Sequence, residues 1–163
     1  MNSEEKMKAL ARLKKELKEL QTDPLATLGV TVGLVKNDDY FHWQITMLGP
    51  QDTPYANGLF FLTADFPNNY PNAGPEVRFT NKIYHLNVNE ANGHVCISTL
   101  NEWQTGTTMS EVLSLIFALF YKENPNSAYD KKKAELFKNN RAKFDENVRE
   151  WTRKYASLNE VES

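Results

Sequence analysis

One thiol stands in the 163 residues, Cys96, and it lies in a stretch crowded with polar side chains. From Tyr84 to Trp103 the chain reads YHLNVNEANGHVCISTLNEW, with His85, Asn87, Asn89, Asn92 and His94 all preceding the cysteine. Asn, Gly, His and Glu interrupt every short apolar run, and Asn92-Gly93 is a turn signal three residues before the thiol. These features predict a long ordered loop that folds back and presents Cys96 near its end. A lone cysteine is by default a small, inert hydrophobe. Its place on a loop held by regular elements raises the weight of a chemical role.

Three chemistries come into question. Cys96 with His85 and His94 could hold zinc or copper, although there is no second cysteine for a Cys-pair zinc site. A thiol that attacks amides needs an activating imidazole, and either histidine could supply it. Between Ile83 and Tyr121, however, there is no Lys or Arg, while Glu90, Glu102 and Glu111 are present. Nearby cations and helix N-termini are what usually activate a thiol. A thiol without them suits exchange with an already activated acyl thioester better than attack on an amide. No Gly-rich loop followed by Lys is present to cradle nucleotide phosphates.

Hydrophobic residues make up 40% and charged residues 25%, which predicts one globular domain over residues 1–163. A formal net charge of −2 offers no global attraction to nucleic acid or an acidic membrane, and neither is expected as a partner. One cysteine cannot form an intramolecular disulfide, and the N-terminus MNSEEKMK is charged. The longest apolar run, Leu113–Tyr121, is too short to span a bilayer. A monomer in the cytoplasm or nucleus is the expectation.

Residues 3–20 carry a helical stripe of Met7, Leu10, Leu13, Leu17 and Leu20, with Ser3 as N-cap. The rest of that surface is biased basic by Lys8, Arg12, Lys14, Lys15 and Lys18, and Asp23-Pro24 stops the helix. Gly29–Lys36 reads as a weak strand. Phe41, Trp43, Ile45 and Met47 alternate with polar residues in a second, on whose polar side His42 is structural. Gly58–Asp65 and Glu76–Thr80 complete an antiparallel meander. Prolines 67, 71 and 75 predict a stiff, extended segment between the last two strands. Met109, Val112, Leu113, Ile116, Leu119 and Phe120 mark a core helix, apolar nearly all round, capped by Thr107, Thr108 or Ser110 and ended by Asn124-Pro125. Tyr129–Asn139 and Arg141–Leu158 read as further helices. The fold class is α+β: an N-terminal helix, a four-stranded antiparallel meander, a long active-site loop, a core helix and two C-terminal helices.

The motifs FHWQ and MLGPQDTPY (41–55), GLFFLTADFPNNYP (58–71), IYHLNVN (83–89), GHVCI (93–97), NPNS (124–127) and EWTRKYA (150–156) occur in one order and spacing. On them the chain resembles a ubiquitin-conjugating enzyme from about Lys6 to Ala156. The resemblance implies a thioester acyltransferase that takes ubiquitin from an activating enzyme onto Cys96 and passes it to a lysine or a ligase cysteine. Asn87 then matches the asparagine that supports the active-site loop and serves the oxyanion. His85 matches a structural histidine, and Ser127 lies on a gate loop near the incoming lysine. No metal or cofactor is implied, because the activating enzyme consumes the ATP, and the N-terminal helix is the expected docking site for that enzyme. The family's HPN reads His85-Leu86-Asn87 here, Ser98 replaces a frequent Asp, Gln104-Thr105 replaces Ser-Pro after Trp103, and Asn72 replaces a frequent aromatic. The last two changes put the usual ligase types in question. Two alternatives stay open: a ubiquitin-like modifier in place of ubiquitin, or a non-catalytic scaffold, which Leu86 favours and Cys96 opposes.

Overall fold

The computed structural model describes residues 3–22 and 24–158. Asp23, half of the expected helix stop, lies outside the described residues. The chain opens with α1 (Ser3–Thr22), then a 3-10 turn at Pro24–Leu28 leads into β1 (Val30–Leu34), β2 (His42–Leu48), β3 (Leu59–Asp65) and β4 (Glu76–Phe79). These pair antiparallel in the order of the sequence. After the Cys96 segment come a short helix α2 (Ser98–Asn101), α3 (Met109–Ala118), a 3-10 turn at Pro125–Ser127, α4 (Lys131–Asn139) and α5 (Arg141–Tyr155). This is the α+β architecture read from the sequence.

Alternation fixes which sheet face is inward. Trp43, Ile45 and Met47 of β2 lie opposite Ala64, Leu62 and Phe60 of β3, and all six are buried. Large Trp43 across from small Ala64 keeps the layer level. On the outer face His42 Nδ1 meets its register partner Asp65 at 2.7 Å, which gives His42 its structural role.

Helix α1 lands on the sheet with a stripe rotated from the one expected. Met7 is 68% exposed, and Ala9, Leu13, Leu17 and Leu20 are buried. Ser3 is the first helical residue rather than the cap before it. A carboxylate, Glu16, is buried beside them and fully engaged. It accepts from Tyr70 Oη at 2.6 Å, from the Met109 backbone N at 2.8 Å, and from Arg12 Nε at 3.0 Å. Three donors, one of them cationic, offset the desolvation of that charge. They also tie α1 to the proline segment and to the start of α3. That segment is folded rather than extended: Tyr70 N bonds Pro67 O, Asn72 N bonds Asn69 O, and the Tyr70–Pro71 peptide is cis. Proline spacing favours extension locally, but Tyr70 on Glu16 and Trp103 Nε1 on Pro71 O (2.7 Å) draw the segment into turns.

Helix α3 is capped by Thr108, whose side chain accepts from Glu111 N. It buries Met109, Val112, Leu113, Ile116 and Phe117, but leaves Leu115 45% exposed, so it is not buried all round. It stops at Ala118, before Asn124-Pro125, because the chain turns through Phe120 and Tyr121.

The Cys96 segment is more ordered than a loop. Val88 bridges Val95 across the Asn92–Gly93 turn, and His94 bridges Arg78 on β4. Gly93 sits at φ +78°, and a Cβ there would come within 2.0 Å of the Phe79 carbonyl oxygen. Only glycine allows this backbone to lie on the sheet edge. Gly93→Ala should therefore destabilise the fold by more than the ~1–2 kcal/mol cost of a left-handed alanine alone, read from denaturant midpoints. An unchanged midpoint would mean that the turn shifts freely away from β4.

Candidate active site

Cys96 is partly exposed, and its backbone N–H donates to the Asn87 carbonyl at 2.8 Å. Together with the Val88–Val95 bridge, this bond holds the thiol beside the residues that precede the turn. Helix α2 begins two residues after the thiol, an element the interrupted apolar pattern did not reveal. The side-chain amide nitrogen of Asn101, at the end of α2, lies 3.5 Å from Cys96 Sγ. Tyr129 stands nearby as well: burial, and then the negative charge of a Cys96 thiolate, raise its phenol above the usual value. Its backbone N donates to Leu86 O at 3.2 Å.

Asn87 is fully buried and every polar atom of its amide is engaged. Nδ2 donates to Asn124 O at 2.8 Å and to Ser127 O at 3.0 Å, while Oδ1 accepts from Asn124 N at 2.8 Å. An asparagine amide has two N–H donors, and both are spent on the 124–127 turn. Asn87 thus braces the 124–127 turn, and its amide hydrogens face carbonyls and not Cys96. In that same turn Pro125 follows the Asn124 cap, whose side chain accepts from Asn126 N and donates to Ser127 Oγ at 3.3 Å. Ser127 is half-buried on that turn.

His85 is buried and faces away from the thiol. Nδ1 accepts from Asn87 N at 3.0 Å and Nε2 lies 2.9 Å from Leu119 O, so the ring proton is on Nε2. Burial lowers its pKa to about 4, opposed by the Leu119 carbonyl and assisted by Lys133. A neutral, doubly bonded ring is a structural histidine, and neither ring nitrogen is free to activate Cys96. His94 instead bridges Arg78 through its backbone. Among the described residues no group of three or more His, Cys, Asp or Glu could hold a metal ion.

Beneath His85 lies a buried carboxyl that the sequence did not bring forward. Glu123 Oε1 accepts from the Tyr55 hydroxyl and sits 3.3 Å from His85 Nε2, while Oε2 is buried without a hydrogen-bond partner. Burial raises the Glu123 pKa to about 7, against the opposing pulls of Tyr55, Arg141 and the Leu86 backbone N–H. Leu86 itself is 1% exposed. The residue standing where the family has proline thus adds a packed side chain, and a backbone donor that proline would lack.

Residues 12–152 match the family model described as ubiquitin-conjugating enzyme. The chain belongs to the ubiquitin-conjugating enzyme family. Its fold is similar to the crystal structure of a putative ubiquitin conjugating enzyme from Plasmodium yoelii, at 32% identity and TM-score 0.81, covering 92% of this chain and 96% of that one. It is similar also to the E2 domain of a Toxoplasma gondii ubiquitin conjugating enzyme, at 32% identity and TM-score 0.78, covering 90% and 98%. In this chain the departures at Asn72, Gln104 and Thr105 gather around Trp103. That ring packs on Tyr70 at 5.8 Å between centroids, and Gly74 leaves room for it, since a Cβ there would lie 2.6 Å from the indole. Arg12 Nη2 reaches Thr107 O at 3.2 Å and Thr105 O at 3.4 Å, so one of the expected free cations of α1 is spent inside the molecule.

Buried Glu123 and His85 pull stability in opposite directions with pH. Glu123 titrates near 4.5 unfolded and about 7 folded, so its contribution falls as pH rises across that window and the buried charge is fully present above it. His85 titrates near 6.5 unfolded and about 4 folded, so its contribution falls as pH drops from 6.5 toward 4. Glu123→Gln keeps the acceptor for Tyr55 and removes the charge. Its stability relative to wild type should improve by about 2–4 kcal/mol between pH 4.5 and 8, measured by denaturant titration at each pH. A difference that stays constant over that range would show that Glu123 ionises in the fold as readily as in the unfolded chain, its pKa not raised.

Proposed function

We propose that the protein accepts ubiquitin from an activating enzyme as a thioester on Cys96 and passes it to a substrate amine or a ligase cysteine. The observation that carries this is the place of the sole thiol: partly exposed at the family position, on a loop pinned to β4 and braced through Asn87. In the first step the Cys96 thiolate attacks the activating enzyme's thioester. A new C–S bond forms at Cys96, the old one breaks, and the departing thiolate takes up a proton. In the second step an amine attacks the Cys96 thioester, loses a proton to solvent, and expels the thiol. Neither step calls for a metal or nucleotide on this chain.

The roles of individual residues are part of this proposal, and the geometry supports them. Asn87 holds the turn that carries Ser127 while His85 braces the Asn87 backbone, and Ser127 lines the approach for the incoming amine. The exposed basic residues of α1, Lys8, Lys15 and Lys18, face outward to meet the activating enzyme. The Trp103 surface meets the ligase. One thiol suits work in a reducing compartment, the cytoplasm or nucleus. The scaffold alternative rests on Leu86, and the intact Asn87 brace around a well-buried Leu86 supports the catalytic reading instead.

Incubation with activating enzyme, ATP and ubiquitin should give an adduct that free thiols remove, since thioesters exchange with them. Cys96→Ser should form a slower adduct that survives reductant, because it is an oxygen ester. Adduct only with a ubiquitin-like protein would keep the chemistry and change the modifier. Failure to charge with any modifier would overturn the proposal.

A further inference from the structure

We propose that the side-chain amide of Asn101 is the hydrogen-bond donor to Cys96 during transfer, a part that the amide of Asn87 is not free to play. The transfer step rests on the function proposed above. Three observations lead to it. Both Asn87 N–H donors are held by the carbonyls of Asn124 and Ser127, and the residue has no exposed surface. To reach the thiol, the buried Asn87 amide would have to give up both of these hydrogen bonds to the 124–127 turn. Asn101 is exposed, and its Nδ2 already lies 3.5 Å from Sγ. Finally, no Lys or Arg lies between Ile83 and Tyr121, so that stretch brings no cation to the sulfur.

Helix α2 is what sets this up. Asn101 N bonds Ile97 O at 3.1 Å and Glu102 N bonds Ser98 O at 2.7 Å, and this single turn places the Asn101 side chain back over the cysteine that precedes the helix. A donor at Sγ favours the thiolate that attacks during charging. When a thioester on Sγ is attacked, the developing oxyanion sits on the carbon bonded to that same sulfur. Rotation of the amide about its outer torsion carries an N–H from sulfur to that oxygen, and Asn101 has two to offer. No proton is transferred by Asn101. It donates to charge that forms and then collapses when the thiol leaves.

The experiment compares wild type with Asn101→Ala, Asn101→Asp and Asn101→Gln in the full chain, by two readouts. In single-turnover discharge of the charged enzyme to free lysine, Asn101→Ala should be about tenfold slower, less than the 10²–10³ lost with an enclosed oxyanion donor because this one is exposed. Asn101→Asp, equal in size without N–H donors, should be at least as slow, and Asn101→Gln should recover part of the rate. The melting temperature should not move, since the side chain is exposed. In the uncharged protein, alkylation of Cys96 by iodoacetamide should be slower in Asn101→Ala and Asn101→Asp, because the thiolate loses its donor. Wild-type discharge in Asn101→Ala or Asn101→Asp, or a rate loss matched by a fall in melting temperature, would overturn the proposal. If wild type does not charge at all, the function proposed above falls. Alkylation then decides the Asn101 contact alone, and equal rates in all variants overturn it.

Discussion

One buried amide joins the parts of the chain that must meet for any chemistry at Cys96. The Asn87 side chain makes three hydrogen bonds to the 124–127 turn, while its backbone carbonyl takes the N–H of Cys96. Residues 37 and 40 positions away in sequence are thereby fixed against the thiol-bearing hairpin. The Asn124 carbonyl also accepts from Ser127 N at 3.1 Å; for the other groups the bond is worth more as a penalty avoided than as a net attraction, since an unpaired buried donor or acceptor costs roughly 1–3 kcal/mol. That asymmetry makes the arrangement all-or-none. Either the turn is seated on Asn87 or several polar groups are stranded together.

Two buried carboxyls, one far from this brace and one beside it, behave differently. Glu16 is surrounded by Tyr70, Met109 N and Arg12, and serves as a hub between α1, the proline segment and α3. Glu123 precedes Asn124 directly, and it has the Tyr55 hydroxyl on one oxygen and nothing on the other. Its pKa rises to about 7, so its charge is costly at neutral pH, whereas the buried carboxylate of Glu16 is met by three donors. Leu86 softens that cost by offering a backbone N–H toward the carboxyl. The departure from His-Pro-Asn is therefore compatible with an intact brace: the leucine fills the core and Asn87 holds its partners as before.

The sheet was legible in the sequence because period-two alternation and burial give the same answer at Trp43, Ile45, Met47, Phe60 and Leu62. Thr108 was one of three cap candidates with Thr107 and Ser110, and its bond from Glu111 N is what singles it out. What could not be read were contacts across long separations. The buried stripe of α1 turns on Glu16, whose partners Tyr70 and Met109 lie 54 and 93 residues away, and this leaves Met7 outside the core. Asn124 looked like a helix stop because its pairing with Asn87 is a tertiary fact. Asn101 drew no notice because α2, at four residues, is too short to show a period. The resemblance identified the family and marked Cys96, Asn87, His85 and Ser127, but could not say where the Asn87 amide points.

The account depends most on Asn87 holding the 124–127 turn against the thiol loop, and amide hydrogen exchange reads that directly. The Asn124 N–H, bonded to Asn87 Oδ1, and the Cys96 N–H, bonded to the Asn87 carbonyl, should both be protected in the uncharged wild-type protein. In Asn87→Ala the Asn124 amide should lose its protection, with the Ser127 turn loosening alongside it, while amides of β2 and β3 exchange as before. Unchanged protection at Asn124 in Asn87→Ala would contradict the account, because the turn would then be held by something other than the asparagine.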